Sequence, residues 1–232
     1  MLELRRDAEI FRAEGRWFSA RWHFSFDRYH DPANMGFGTL RVFNDDRLIP
    51  GAIWPMHPHR DIEALTYVVE GTFRHEDSLG NDGVLPAGSV QRMTLGSGAL
   101  HSEQNASATE PMRFIQLWIM PAERGLTPAC EQRVLETGDR ADRLLEVFSP
   151  PGGPGVPVHQ EARVFVASLS EGTSVGREVP RGFGHYLYLI GGAVELNGEK
   201  LAAGDAAKIG AEPRLDIRAL EPSELITVEV QV

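Results

Sequence analysis

A chain of 232 residues, 42% hydrophobic and 24% charged, has the balance of a folded globular protein and suits one large domain or two ordinary ones. Its net charge of -10, from 33 acidic against 23 basic residues, argues against nucleic acid or an anionic membrane surface as a partner. The one cysteine, Cys130, excludes an intramolecular disulfide; no stretch approaches the ~18–20 apolar residues of a membrane span, and the charged opening MLELRRDAEIFRAEGRW lacks a signal-type apolar segment, so a cytoplasmic protein is expected.

In chain order, strands are predicted over 37–44, 64–76, 89–95 and 112–120, each rich in β-branched, aromatic and aliphatic residues. Clusters such as NDD, SLGNDG, GSG and NASATEP read as the turns between them. A short helix is predicted over 122–135, with a second over 138–145. The Pro/Gly-dense SPPGGPGVP at 149–157 reads as a surface loop or linker with little core around it. Further strands follow at 163–169, 185–190, 193–198 and 224–232. Strands at this spacing predict an all-β sandwich or barrel architecture with few helices.

The two halves repeat weakly. Thr66–Phe73 resembles Leu187–Val194, an aromatic-aliphatic strand running into a glycine and then a second strand. Pro86-Ala87-Gly88-Ser89 and Ala203-Gly204-Asp205 follow as related turns. Two stacked β-barrels of one type account for the pattern. The offset of 121 positions puts Glu178 and Pro180 where the first copy has His57 and His59, so the second barrel is expected to hold no metal.

Of eight histidines, three stand in an arrangement that chemistry explains. His57-Pro58-His59 places two imidazoles at i and i+2, on one face of a strand about 7 Å apart. His101-Ser102-Glu103 offers an imidazole and a carboxylate in the same geometry. Each pair adjoins a strongly β segment and follows turn residues, Gly51 and Pro55 before the first and Gly96-Ser97-Gly98 before the second. Three imidazoles and one carboxylate suit one divalent transition ion, with Fe(II) the leading expectation and Mn, Co, Ni, Cu or Zn as alternatives. A six-coordinate ion would keep two positions open. His75 reads as structural or at a pocket rim, and His23, His30, His159 and His185 as surface or hydrogen-bonded core positions. Trp54, Met56, Phe73 and Met93 are candidate pocket walls. Gln91 and Gln116 are candidates to hydrogen-bond the ligands or a bound water.

The run GAIWPMHPHRDIEALTYVVEG (51–71) resembles the first cupin motif, and PAGSVQRMTLGSGALHSEQN (86–105) resembles the pirin version of the second. HFSFDRYHDPANMGFGTLRVFNDD (23–46) and FIQLWIMPAERGLTPACEQR (114–133) are also similar to pirins. The resemblance implies a bicupin, two stacked double-stranded β-helix (jelly-roll) barrels, with a metal-binding N-terminal cupin over 1–130 and a degenerate C-terminal cupin over 131–232. It implies a metal on His57, His59, His101 and Glu103, with Gln91 where general cupins place a histidine, and with Glu63 structural or supporting the ligands. Pirin-like bacterial proteins are linked with quercetin 2,3-dioxygenase activity, which implies a flavonol or other enediol and dioxygen as partners and Glu103 as the catalytic proton acceptor. A metal-dependent redox sensor or regulatory binding protein is the competing expectation. A monomer is the expected state.

Overall fold

The computed structural model describes residues 1–210 and 212–232. Among them there is no α-helix; the only helical elements are two single 3-10 turns, Asp7–Glu9 and Thr137–Arg140. The strands form two seven-stranded and two four-stranded sheets. In the first half, the four-stranded sheet Ile53–His59, Ala99–Asn105, Thr72–Asp77 and Asp82–Pro86 faces a seven-stranded sheet centred on Glu63–Glu70 and Met112–Ile119. The second half repeats this plan. Ser174–Glu178, Arg214–Ala219, Ala193–Leu196 and Glu199–Ala202 face a sheet centred on Phe183–Gly191 and Ser223–Gln231.

The weak repeat therefore has a structural counterpart. Gly71 and Gly192, 121 positions apart, both sit at the strand junction with positive φ, +79° and +84°. At each, an added Cβ would lie 2.4 Å from a backbone carbonyl oxygen, of Pro111 and of Pro222 respectively. Left-handed backbone and close chain approach together require glycine there.

The main core lies between the two halves. Phe43, Leu65, Tyr67 and Leu117 of the first large sheet join Val164, Val166, Tyr186, Tyr188, Ile226 and Val228 of the second in one buried cluster. Each large sheet is thus covered on both faces, which explains why its strands read as near-continuous apolar runs. Two segments cross between the halves. Leu2–Arg5 pairs with Ala206–Gly210 at the edge of the second large sheet, and Ala129–Val134 pairs with Ser89–Thr94 at the edge of the first.

Four local expectations are corrected. The predicted helix over 122–135 is a loop leading into the strand Ala129–Val134, because backbone pairing with Ser89–Thr94 overrides a weak helical preference. The predicted helix over 138–145 is the 3-10 turn Thr137–Arg140, followed by the strand Leu145–Ser149. The NDD cluster is no turn: the strand Leu40–Leu48 runs through Asn44, Asp45 and Asp46. The 149–157 segment is also more than a linker, since Val156 within it and Phe148 and Val158 at its two ends are buried in the main core.

Candidate metal centre

His57 and His59 come from Ile53–His59, and His101 and Glu103 from its neighbour Ala99–Asn105. The antiparallel register sets His101 opposite His57, then shifts so that Glu103 meets Trp54. The extra residue falls at Pro55–Met56, both exposed, between the half-buried Trp54 and His57. A proline, with no N–H to leave unpaired, suits such a bulge, and the bulge re-aims the side chains that follow it. One imidazole nitrogen from each of His57, His59 and His101 lies within 4.8 Å of the others. Glu103 is not part of this tight trio; its Oε1 stands 3.5 Å from His101 Nδ1.

The surroundings prepare the rings as neutral donors. His57 Nδ1–H donates to the Pro55 carbonyl at 2.7 Å, which leaves the Nε2 lone pair free. Trp118 packs edge-on against His59 with ring centroids 4.7 Å apart. His101 is 1% exposed, and neither of its nitrogens has a hydrogen-bond partner among the described residues. A buried imidazole with both nitrogens unpaired is costly unless something absent from the chain completes it. A divalent ion fits this donor set, since neutral imidazoles and a carboxylate are what such ions take.

Burial first, and the His57 ring second, lower His59 to about 4; burial and the His57 and His59 rings lower His101 to about 2. Burial raises Glu103 to about 8, and no neighbouring cation or donor offsets it. Burial, then Asp45 and Glu103, raises Asp46 well above the usual carboxylate range. The signs oppose. His59 and His101 contribute stability that is present above their unfolded pKa near 6.5 and lost as pH falls towards their folded values. Glu103 contributes stability that is present below about 4.5 and lost as pH rises through 8. These three groups by themselves favour the metal-free protein most near pH 6.5. Urea midpoints across pH 5–9 should fall on both sides, with a shallower alkaline limb in Glu103→Gln; an unchanged alkaline limb would refute this role of Glu103.

A pocket of about 100 Å³ opens beside the ligands. Phe26, Trp54, Phe114 and Trp118 form its aromatic walls, and Asn44, Asp46 and Gln116 supply polar groups. Asn44 and Asp46 are 3% and 5% exposed, and Oδ1 of each has no partner among the described residues. Of the candidate wall residues, Trp54 lines the pocket, Met56 is exposed, and Phe73 and Met93 are buried in separate core clusters. Gln116 is in place, accepting from Thr66 Oγ1 at 2.8 Å, whereas Gln91 bonds His75 and Gln132 instead. Asn44 and Asp46 were hidden because NDD reads locally as a turn, Phe114 and Trp118 because an aromatic in a strand carries no sign of which face it lines, and Phe26 because it reaches the pocket from a loop.

The remaining histidines are hydrogen-bonded or structural where they are buried. His23 Nδ1 meets Tyr186 Oη at 2.7 Å, and His185 Nδ1 meets Thr227 Oγ1 at 3.0 Å. Glu63 is fully buried, accepting from Thr94 Oγ1 at 2.8 Å and from the His159 backbone N–H at 2.7 Å, so it ties the halves together. In the second barrel Ile217 pairs with Leu196 as Glu103 pairs with His75 in the first, and Ile217 and its neighbour Leu215 are buried in apolar core.

Known proteins share this arrangement of chain. The family model described as Pirin matches residues 5–119, and that described as Quercetinase C-terminal cupin domain matches residues 147–230. A pirin-like protein of Caulobacter vibrioides is 39% identical over 219 residues, 94% of each chain. The chain belongs to the pirin family. This pirin is also 38% identical over 232 residues to a quercetin 2,3-dioxygenase of Escherichia coli (strain K12), covering 99% of each. The crystal structure of the bacterial pirin YhhW from Escherichia coli in complex with nickel(II) matches it with a TM-score of 0.93 at 36% identity, covering 100% of this chain and 99% of that one. The all-β bicupin fold expected from the sequence is therefore the fold of this pirin.

Proposed function

We propose that this pirin is a metal-dependent dioxygenase that opens the ring of a flavonol or related enediol, at one ion held by His57, His59, His101 and Glu103. The observation that carries the reading is His101, buried with both nitrogens unpaired, in a trio of imidazoles beside an aromatic-walled pocket. Relatives named quercetin 2,3-dioxygenase, similar over the whole chain, support the reaction class. Fe(II) remains the leading ion; the same donors accept Mn, Co, Ni, Cu or Zn, and the nickel(II) complex of YhhW agrees with that tolerance. When bound, the ion supplies Lewis acidity that makes a substrate hydroxyl easier to ionise.

The chain's own groups do the rest. A pocket this small encloses only the reacting edge of a planar molecule, with the remainder at the mouth. Trp118 and Phe26, themselves in edge-to-face contact, and Trp54 and Phe114 offer flat apolar surface that excludes water. Asn44, Asp46 and Gln116 present polar atoms to the substrate's oxygens. Glu103, whose carboxylate lines the pocket beside the imidazole trio, is the group within reach to take the hydroxyl proton. Dioxygen then adds across the ring, which opens with release of carbon monoxide. The reading divides the chain near residue 130 into a metal-binding cupin and one without ligands, working as a cytoplasmic monomer. Metal-free protein loaded with Fe(II) should release carbon monoxide from quercetin; no release with Fe, Mn, Ni or Cu would sink the proposal.

A further inference from the structure

A second cluster of donors lies deeper in the first barrel, and the reaction above makes no use of it. His75, Asp77 and Cys130 each offer one ligand atom, and these atoms lie within 4.8 Å of one another. They come from opposing sheets: His75 and Asp77 alternate inward on Thr72–Asp77, while Cys130 stands on the edge strand Ala129–Val134. His75 is fully buried and Asp77 is 9% exposed. The ring centroids of His75 and His101 are 5.8 Å apart, so the cluster neighbours the first donor set and shares no residue with it.

A chain of hydrogen bonds orients the donors. Gln132 Nε2 donates to Gln91 Oε1 at 2.7 Å, and Gln91 Nε2 meets His75 Nδ1 at 3.2 Å. The His75 proton is then on Nε2, which donates to Asp77 Oδ2 at 3.0 Å. Asn81 Nδ2 and the backbone N–H groups of Leu79 and Asn81 hold the same carboxylate at 2.8–3.0 Å. The Asp77 carboxylate and the His75 ring are thus held in position, and His75 Nε2 faces the cluster with its proton directed at Asp77.

We propose that His75, Asp77 and Cys130 form a second, separate site for a soft or borderline divalent ion of the Zn(II), Co(II) or Cd(II) type, stapling the two sheets of the N-terminal barrel. The donor chemistry decides the class. An imidazole, a carboxylate and a thiolate give two negative charges against a divalent ion, so the occupied cluster is neutral, and the sulfur sets it apart from the sulfur-free trio above. Three protein donors leave one tetrahedral position for water. On binding, the thiol proton passes to solvent, and the His75 proton moves from Nε2 to Nδ1 as the Gln91 and Gln132 amides turn together, so that Gln91 Oε1 accepts from His75 and Gln132 Oε1 accepts from Gln91 Nε2. Without an ion, burial and then Asp77 push the Cys130 thiol up to about 12, so it stays protonated and a poor nucleophile.

The test is a Co(II) titration of the chelator-stripped full-length protein, read in the near-ultraviolet for thiolate-to-cobalt charge transfer. The wild type should show the band, saturating at one equivalent for this cluster in addition to any ion in the first site. Cys130→Ser should lose the band and that equivalent. Asp77→Asn should keep the band but weaken binding by at least about tenfold. His57→Ala/His59→Ala should keep the band in full, whether or not the dioxygenase reading holds. A Zn(II)-dependent rise in Tm should likewise vanish in Cys130→Ser. Absence of the band from the wild type at saturating Co(II) would overturn the site. Its loss in His57→Ala/His59→Ala would do the same, by making the thiol part of the first centre.

Discussion

Replacing His101 with Ala should leave a folded protein that no longer retains its ion. The ring is the most buried of the three imidazoles, and the chain offers neither nitrogen a partner, so little but a ligand role justifies it there. Loss of a ligand should weaken metal affinity by more than the ~10–100-fold typical of changes to residues that merely support ligands. Turnover should fall to background. Elemental analysis of protein purified without added metal, with circular dichroism as the control for folding, checks this. A full equivalent of metal in both His101→Ala and Glu103→Ala would mean that the ion sits elsewhere.

The largest effect on stability should come from Asp45→Ala. Asp45 is 1% exposed at the junction of the two halves. It accepts from Arg113 Nε and Nη2 at 2.8 Å each and from Tyr188 Oη at 2.6 Å. Arg113, itself 9% exposed, also reaches the Ile190 carbonyl at 3.3 Å. Removing the carboxylate strands a buried guanidinium, a change that costs about 3–5 kcal/mol. For a chain of this length that is a fall in Tm of roughly 10 °C. Asp45→Ala/Arg113→Met should recover most of the loss, because the well-packed apolar pair removes both charges together. A loss below about 1 kcal/mol in the single variant would show that the pair is better solvated than its burial implies.

Asp45 also shows why part of the molecule was hidden in the sequence. Asn and Asp disfavour strands, so Asn44-Asp45-Asp46 reads locally as a turn. It is a strand because its two faces meet different partners: Asp45 meets Arg113 and Tyr188, while Asn44 and Asp46 line the pocket. Those partners lie 68 and 143 residues away from Asp45. Ala129–Val134 is the same case with the sign reversed, a helix-tolerant segment recruited as an edge strand by Ser89–Thr94.

What the sequence determined by itself was whatever is encoded at short range. Period-two alternation and regular turn signals carry the all-β class, and the Gly71 and Gly192 junctions carry the doubling of the barrel, since a left-handed residue in a crowded junction leaves only glycine. The four candidate ligands were legible for the same reason, as i, i+2 pairs that need only a strand to share a face. Tertiary structure alone decided how the pairs meet, through a bulge at Pro55–Met56 that shifts Glu103 onto Trp54. It also decided which aromatic residues wall the pocket, and it brought Cys130 to His75 and Asp77 from the opposite sheet. Those juxtapositions depend on register and on packing between sheets, and neither is written in any one stretch of chain.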